Sequence, residues 1–539
     1  MNNLNRVKRY LLAILSGLLM LISFPFTGSL TPLVFIAWIP LLIIENYLSH
    51  NKMKTAQVFL PAYLTFIVFN IGTTWWIWNA DIGGAIMAFI FNSLLMALFF
   101  LLFVLIKKSL PQKIGIWSLI PVWIGFEYLH YNWELSHPWL TMGNFFSSTP
   151  TFIQWYEFTG ALGGSLWVLV VNIMIFFLIK NWFLKHKRNQ SALILVISLA
   201  LPISTSFFIY FIQADDTAAR KKYELVVVQP NIDPYKEKFN LAFGPEKQMV
   251  KFIELAKQKL TPNTKLIVGP ETAIQGNFNE TEPNENNALR LLNATLLKPN
   301  SSFDLLIGAS TYRLFTKKNS AVSQPIPNSN LFYEAYNTSL FLQHKKKPKY
   351  IHKSKLVLGV EKIPFSNFFP FLEKLAIQNG GTSGSLGIEK SAKIFTARQV
   401  KIAPSVCYES IYGDFMCQQT RLGAELFIVI TNDGWWGDTP GYRQHFSFAQ
   451  MRAIENRRYV VQSANTGTSG VINTKGEILN ATPYSKSAVI NVSVPLHNEV
   501  TFYAKHGDYI GRFSLILLGI IIAFGLFKRF IDLKTKLPS

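Results

Sequence analysis

One carboxylate, one ammonium and one thiol follow each other along this chain in an order that suits acyl transfer. The carboxylate is Glu271, in Gly269-Pro270-Glu271-Thr272-Ala273. The ammonium is Lys353, in Tyr350-Ile351-His352-Lys353-Ser354-Lys355. The thiol is Cys407, in Val406-Cys407-Tyr408-Glu409-Ser410. A thiol acts as a nucleophile in its thiolate form, so a base must take its proton or a positive charge must depress its pKa. The oxyanion that develops on the attacked carbonyl then needs fixed donors. Each group alone is weak evidence, because a cysteine in an apolar strand is ordinarily a packing residue and a lysine beside a strand is ordinarily solvated.

The segments around these residues read as a layered α/β domain. Short β-branched runs at Glu224–Gln229, Lys265–Gly269, Asp304–Ala309, Thr338–Gln343, Lys401–Cys407, Glu425–Thr431, Tyr459–Ala464 and Ala488–Val494 predict strands. Helical patterning covers Glu246–Leu260, Glu285–Leu297 and Tyr442–Asn456. Open α/β sheets carry their chemistry beyond the carboxyl ends of strands. Glu271, Cys407 and Asn432-Asp433 all fall at such ends.

The rest of the chain is of another kind. Of 539 residues, 50% are hydrophobic and only 15% charged, which is lean for a soluble protein. Apolar runs near 10–27, 31–48, 57–78, 84–106, 115–131, 159–182, 191–212 and 509–528 are each long enough to be read as membrane spans. The first resembles a signal peptide but has no evident small-residue cleavage site, so it reads as a retained helix. The net charge of +21 could suggest nucleic acid as a partner. Its distribution argues against that, because the basic residues cluster beside the apolar runs. Lys52 and Lys54, Lys107, Lys108 and Lys113, Lys180 to Arg188, and the tail from Lys528 mark every second connection, whereas 27–31, 79–83 and 132–157 contain no Lys or Arg. The expected layout is an N-terminal membrane domain of seven spans (1–212), a catalytic domain outside the cytoplasm (213–508), and a last span with a cytoplasmic tail (509–539). Both termini are then cytoplasmic.

In order, Glu271, Lys353 and Cys407 resemble the Glu-Lys-Cys triad of the nitrilase, or carbon-nitrogen hydrolase, superfamily, whose members share an αββα sandwich. Together with the membrane layout, the pattern resembles the apolipoprotein N-acyltransferase family. The segments that carry the resemblance are Gln229-Pro230-Asn231-Ile232, Pro270-Glu271, Tyr336-Asn337, Lys353 with Leu356-Val357, Glu361, Cys407-Tyr408-Glu409, Thr431-Asn432-Asp433-Gly434-Trp435, Gln450-Met451-Arg452 and Asn465-Thr466-Gly467. The resemblance implies an eight-span, monomeric inner-membrane enzyme with a periplasmic catalytic domain. It implies Glu271 as general base, Cys407 as the nucleophile that becomes a thioester, and Lys353 with a backbone N–H near Tyr408 as oxyanion donors. Glu361 and Glu409 would position Lys353 and the active-site loop. It further implies a phospholipid acyl donor, commonly phosphatidylethanolamine, and the α-amine of a diacylglyceryl-cysteine apolipoprotein as acceptor. Two local departures stand out. Leu358-Gly359-Val360-Glu361 replaces the family's Pro-x-Gly-Glu, and Phe239 stands where a tryptophan is usual.

Four phenylalanines between Phe365 and Phe371, including Phe368 and Phe369, precede the glycine-rich stretch 380–385. This composition suits a flap that dips into a lipid interface, or else a loop packed on the domain's own core. Trp435 and Trp436 could form an interfacial wall or fill a core, and His137-Pro138-Trp139 resembles a family segment of unassigned role. No cofactor or metal is expected, since the histidines show no ligand spacing and no phosphate- or dinucleotide-binding glycine motif occurs. The one other cysteine, Cys417, would inactivate Cys407 by pairing with it, so the two are expected to stay apart. Two other readings compete. One is a membrane-tethered amidase with the same triad. The other is a non-enzymatic scaffold or transporter, disfavoured because the spans lack evident interior charges and paired interrupted helices.

Overall fold

The computed structural model describes residues 4–183, 189–213, 220–238, 244–299, 301–365 and 385–534. Phe239, Phe368 and Phe369, and most of the glycine-rich stretch after them, lie outside these residues. The chain forms two compact units. Met1–Trp75, Ala85–Ile212 and Asp508–Ser539 make one, while Trp76–Gly84 and Gln213–Gly507 make the other.

The first unit is helical. Among the described residues, six stretches are long and apolar enough to cross a membrane: Thr31–His50, Thr55–Thr74, Ile82–Ser109, Ala161–Asn181, Gln190–Ile212 and Tyr509–Lys528. Two of the expected spans are not of this kind. The run near 10–27 is the helix Arg6–Ser23, which takes Arg6, Lys8 and Arg9 into its own first turns. The run near 115–131 is divided into a 3-10 turn, Ile116–Ser118, and a short helix, Leu119–Asn132. Hydropathy counts apolar residues, whereas crossing a bilayer also needs about 20 of them in continuous helix.

Irregular backbone in this unit is satisfied internally, as a hydrocarbon surround requires. Between the 3-10 turn Thr31–Ile36 and the helix Ile39–His50, Asn172 accepts from the Trp38 N–H at 3.0 Å and donates to the Val34 carbonyl at 2.9 Å. Interior charge is also present, contrary to the impression given by hydropathy. Glu45 is buried and pairs with Lys107, and buried Glu127 accepts from Trp123 Nε1 at 3.1 Å and Met142 N at 2.8 Å. His137 leads into a buried 3-10 turn, Pro138–Leu140.

The second unit is a sandwich of two sheets. The first contains β1 (Lys222–Gln229), β2 (Thr264–Val268), β3 (Ile274–Asn279), β4 (Asp304–Phe315), β5 (Gln324–Pro325), β6 (Phe332–Leu342) and β7 (Lys349–His352). The second contains β8 (Phe395–Ala397), β9 (Val400–Val406), β10 (Leu426–Thr431), β11 (Val460–Ala464), β12 (Gly470–Ile472) and β13 (Ile478–Ala481). The last strand, β14 (Ala488–Pro495), returns to the first sheet. The orders are β14-β1-β2-β4-β6-β5, with β3 on β4 and β7 on β6, and β13-β12-β11-β10-β9-β8. The central strands β1, β2 and β4 run parallel, as do β9, β10 and β11.

Side chains of the two sheets meet in one apolar layer. Leu225, Val227, Leu266, Val268 and Leu306 of the first sheet pack with Ile402, Leu426, Ile428, Ile430 and Val461 of the second. The opposite face of the first sheet is covered by the helices Pro245–Lys257 and Asn287–Thr295 through Met249, Phe252, Leu289 and Leu292. Helices Gly413–Arg421 and Pro440–Asn456 flank the second sheet. Strands buried on both faces need continuous apolar runs, which is how β10, Leu-Phe-Ile-Val-Ile-Thr, reads. The αββα sandwich expected from the triad is therefore the fold of this unit.

Candidate active site

Glu271 leaves β2 through a tight turn. Gly269 N donates to Leu306 O at 2.8 Å and Gly308 N to Pro270 O at 3.0 Å, which draws the turn onto β4. The approach is so close that a Cβ on Gly308 would stand 2.5 Å from both Glu271 Cα and Thr272 N. Thr272 takes a φ of +46°, uncommon for a β-branched residue. The Glu271 carboxylate is buried and accepts from Asn337 Nδ2 at 2.8 Å.

Lys353 follows β7 directly, with its backbone N–H donating to Asn337 O at 2.8 Å. Its side chain is 1% exposed. The ammonium donates to Glu361 Oε1 at 2.9 Å and Glu271 Oε1 at 3.4 Å, and Asn337 Nδ2 also reaches Glu361 at 3.0 Å. Burial opposes charge on Lys353, but the Glu361 and Glu271 carboxylates outweigh it and raise its pKa above the ordinary value. Lys355 points elsewhere and lies over the Tyr412 ring, 5.0 Å from its centroid. Glu361 arrives on a turn in which Gly359, at φ +84°, donates its N–H to Lys362 O at 2.8 Å. The shifted glycine thus still closes a turn that delivers the carboxylate to Lys353.

Cys407 is the first residue past β9 and has a φ of +50°. A non-glycine residue in the left-handed region is strained and persists only where its surroundings enforce it. Here Ser410 Oγ donates to Cys407 O at 2.8 Å, and His445 Nε2 lies 3.1 Å from the same oxygen. Burial, followed by the negative charge of Glu271, pushes the thiol pKa well up despite the opposing pull of Lys353. The site therefore disfavours the thiolate, and attack calls for a base.

Glu409 ties the two halves together. One of its oxygens accepts Val406 N at 2.7 Å, and the other accepts Ser354 N at 2.5 Å and Lys355 N at 3.4 Å. The strand end that carries the thiol is thereby bound to the segment that carries the ammonium. Burial raises this carboxyl to about 7, against the downward pull of those N–H groups. Tyr408 is buried and packs edge-on against Tyr412 at 5.5 Å.

Trp435 and Trp436 are half-buried. Trp435 meets the Tyr235 ring edge-on at 5.3 Å, and Trp436 meets His445 at 5.8 Å. Phe365 is exposed at φ +60°, which leaves the flap reading with a single described phenylalanine. Cys407 and Cys417 are not joined in a disulfide, and Cys417 packs with Tyr503 and Ala504. Among the described residues, no group of three or more His, Cys, Asp or Glu side chains is placed to hold a metal ion.

Two features escaped the sequence reading. The first is Lys238, a second buried ammonium that donates to Thr272 Oγ1 beside Glu271. With the Asn432 amide oxygen turned toward its donors, Lys238 Nζ reaches it at 3.1 Å and Trp435 Nε1 at 3.2 Å. Burial lowers its pKa to about 8, although the charges of Glu271 and Cys407 act in the other direction. The second is the buried pair of His445 and Asp433, with Nδ1 to Oδ1 at 3.0 Å. Each pairing joins residues that no local pattern links.

Residues 227–501 match the carbon-nitrogen hydrolase family, and residues 16–174 match the apolipoprotein N-acyltransferase N-terminal domain. Over 522 residues the chain is 30% identical to an apolipoprotein N-acyltransferase of Chlorobaculum tepidum, covering 95% of this chain and 96% of that one. It is 26% identical to one of Geobacter metallireducens, covering 93% and 92% respectively. It is 25% identical to apolipoprotein N-acyltransferase 1 of Treponema denticola, covering 97% of each. With an amino-terminal domain and a nitrilase-like sandwich both matched, and a relative aligned over nearly its full length, this chain belongs to the apolipoprotein N-acyltransferase family.

Proposed function

We propose that this membrane enzyme moves a fatty acyl group from a phospholipid to the α-amine of the diacylglyceryl-cysteine that begins an apolipoprotein, through a thioester on Cys407. The observation that carries the reading is Lys353, buried between Glu271 and Glu361 on one sheet, while Cys407 ends a parallel strand of the other. In the first half-reaction Glu271 takes the thiol proton as Sγ attacks the ester carbonyl. Lys353 and the Tyr408 N–H receive the oxyanion. The ester C–O bond breaks, and the lysophospholipid alkoxide leaves with the proton from Glu271. In the second, the amine attacks the thioester and gives a proton to Glu271. The C–S bond then breaks, the amide forms and the thiolate regains that proton.

Phosphatidylethanolamine is the proposed donor. The charge pattern of the connections supports eight spans with both termini cytoplasmic, including the two short apolar stretches, and a periplasmic catalytic domain in the inner membrane. The domain boundaries we propose are 1–212, 213–508 and 509–539, in a protein that acts as a monomer. Two lipid-anchored substrates explain why a nitrilase-like domain is joined to membrane helices, which a hydrolase of small amides would not need.

Intact mass of the full-length protein before and after exposure to phosphatidylethanolamine vesicles tests this. The expected result is an added acyl chain on Cys407 that is discharged by a diacylglyceryl-cysteine peptide. Absence of any adduct, with hydrolysis of small amides instead, would favour the amidase reading. Cys407→Ser should abolish lipoprotein N-acylation in cells.

A further inference from the structure

The carbonyl of Cys407 is held from two sides. Ser410 Oγ donates to it at 2.8 Å and His445 Nε2 approaches it at 3.1 Å; Nε2 also lies 3.0 Å from Ser410 Oγ. On the far side of the ring, Nδ1 faces Asp433 Oδ1 at 3.0 Å, and that oxygen accepts from Thr431 Oγ1 at 2.6 Å. His445 and Asp433 are both fully buried. A carboxylate can only accept, so Nδ1 carries a hydrogen, while Nε2 faces a carbonyl that can only accept and a hydroxyl that can do either. Asp433 favours the charged form of the ring and raises the His445 pKa in spite of burial.

The Cys407 carbonyl and the Tyr408 N–H belong to one peptide group. In a trans peptide the two point in opposite directions, and no cis bond occurs among the described residues. Fixing the carbonyl against His445 and Ser410 therefore fixes the direction of the N–H. Donors on the oxygen also draw electron density from the peptide nitrogen and strengthen its N–H as a donor, the usual cooperativity of hydrogen-bond chains.

We infer that His445, held by Asp433, is a positioning residue that aims and polarises the Cys407–Tyr408 peptide so that its N–H can receive the oxyanion. This rests on the reading of Cys407 as nucleophile. The same contacts hold Cys407 in its left-handed conformation, so a single buried pair sets both the nucleophile's backbone and the donor beside it.

The test compares two reactions of one thiol in the full-length protein. Acylation by phosphatidylethanolamine vesicles develops an oxyanion, whereas alkylation by iodoacetamide does not, although both need the thiol deprotonated and accessible. In His445→Gln, single-turnover acylation should fall roughly tenfold or more, while alkylation of Cys407, read by peptide mass, stays within about twofold of wild type. Ser410→Ala removes the other donor to the same carbonyl. It should show a smaller loss of the same selective kind, and it carries the test if the histidine variant does not fold. Equal losses in both reactions would assign His445 to general architecture and overturn the inference, as would unimpaired acylation. A wild-type protein that takes up no acyl group would instead bring down the reading of Cys407, and this inference with it.

Discussion

Glu361 holds the Lys353 ammonium at 2.9 Å through one oxygen, while its other oxygen accepts the Val357 N–H at 2.8 Å. The carboxylate therefore neutralises a buried charge and anchors the turn that brings it there. Removing one partner of a buried pair typically costs about 3–5 kcal/mol where the other is left uncompensated. Glu271 still faces Lys353 at 3.4 Å, so Glu361→Ala should lower unfolding stability by no more than about 3 kcal/mol, the low end of that range, read by denaturation in detergent. Glu361→Gln keeps the shape and should lose mainly acylation rate. A fully stable, fully active alanine variant would remove Glu361 from the site.

Glu409 accepts from the backbone of both Val406 and Ser354. In Glu409→Ala these buried N–H groups lose their partner, at about 1–3 kcal/mol for each group left unsatisfied. Both stability and acylation should fall. Glu409→Gln should recover only part of either, because the amide nitrogen cannot accept. Equal behaviour of the two variants would show that Glu409 acts by filling space.

Gly308 allows β4 to pass the Glu271 turn, so Gly308→Ala forces backbone apart where a Cβ would come within 2.5 Å. Overpacking of this kind costs roughly 1–3 kcal/mol. Here it displaces the proposed base itself. Acylation should therefore drop by more than the stability loss explains, measured as the single-turnover rate at a temperature where the variant is fully folded.

Lys238, with its pKa lowered to about 8, is charged below that pH and neutral above it. Its ammonium favours negative charge on Glu271 and Cys407, and this help fades as pH rises through about 8. Wild-type acylation should carry a corresponding alkaline limb. Lys238→Met should be slower at neutral pH and lack the limb, whereas Lys238→Arg, charged throughout, should shift it upward. A methionine variant with an unchanged pH profile would exclude Lys238 from the chemistry.

Much of this site was legible because its parts lie at the ends of short β-branched runs. The runs before Glu271 and Cys407 are β2 and β9, and Lys353 is the first residue past β7, a short strand that the periodicity did not predict. In the sequence, Lys353 is separated from Lys355 only by its spacing to Leu356-Val357. In the structure their surroundings differ, one lying between two carboxylates and the other over a tyrosine ring. Strands such as β8 and β12, three residues each, are too short for periodicity to register. Lys238 and the His445–Asp433 pair depend on packing between elements, and a lysine or histidine about to be buried has no distinctive neighbours in sequence. The apolar runs near 10–27 and 115–131 were visible as composition, and so were the basic residues before the first, while the helix's extension back over Arg6, Lys8 and Arg9 and the break in the second run were not.

The raised pKa of Cys407 bears on how the protein survives between turnovers. Oxidation to sulfenic acid and beyond follows thiolate character and exposure, and Cys407 offers little of either at rest. With Glu271 as its proposed base, Cys407 should react with peroxide and disulfides more slowly than an exposed free thiol does.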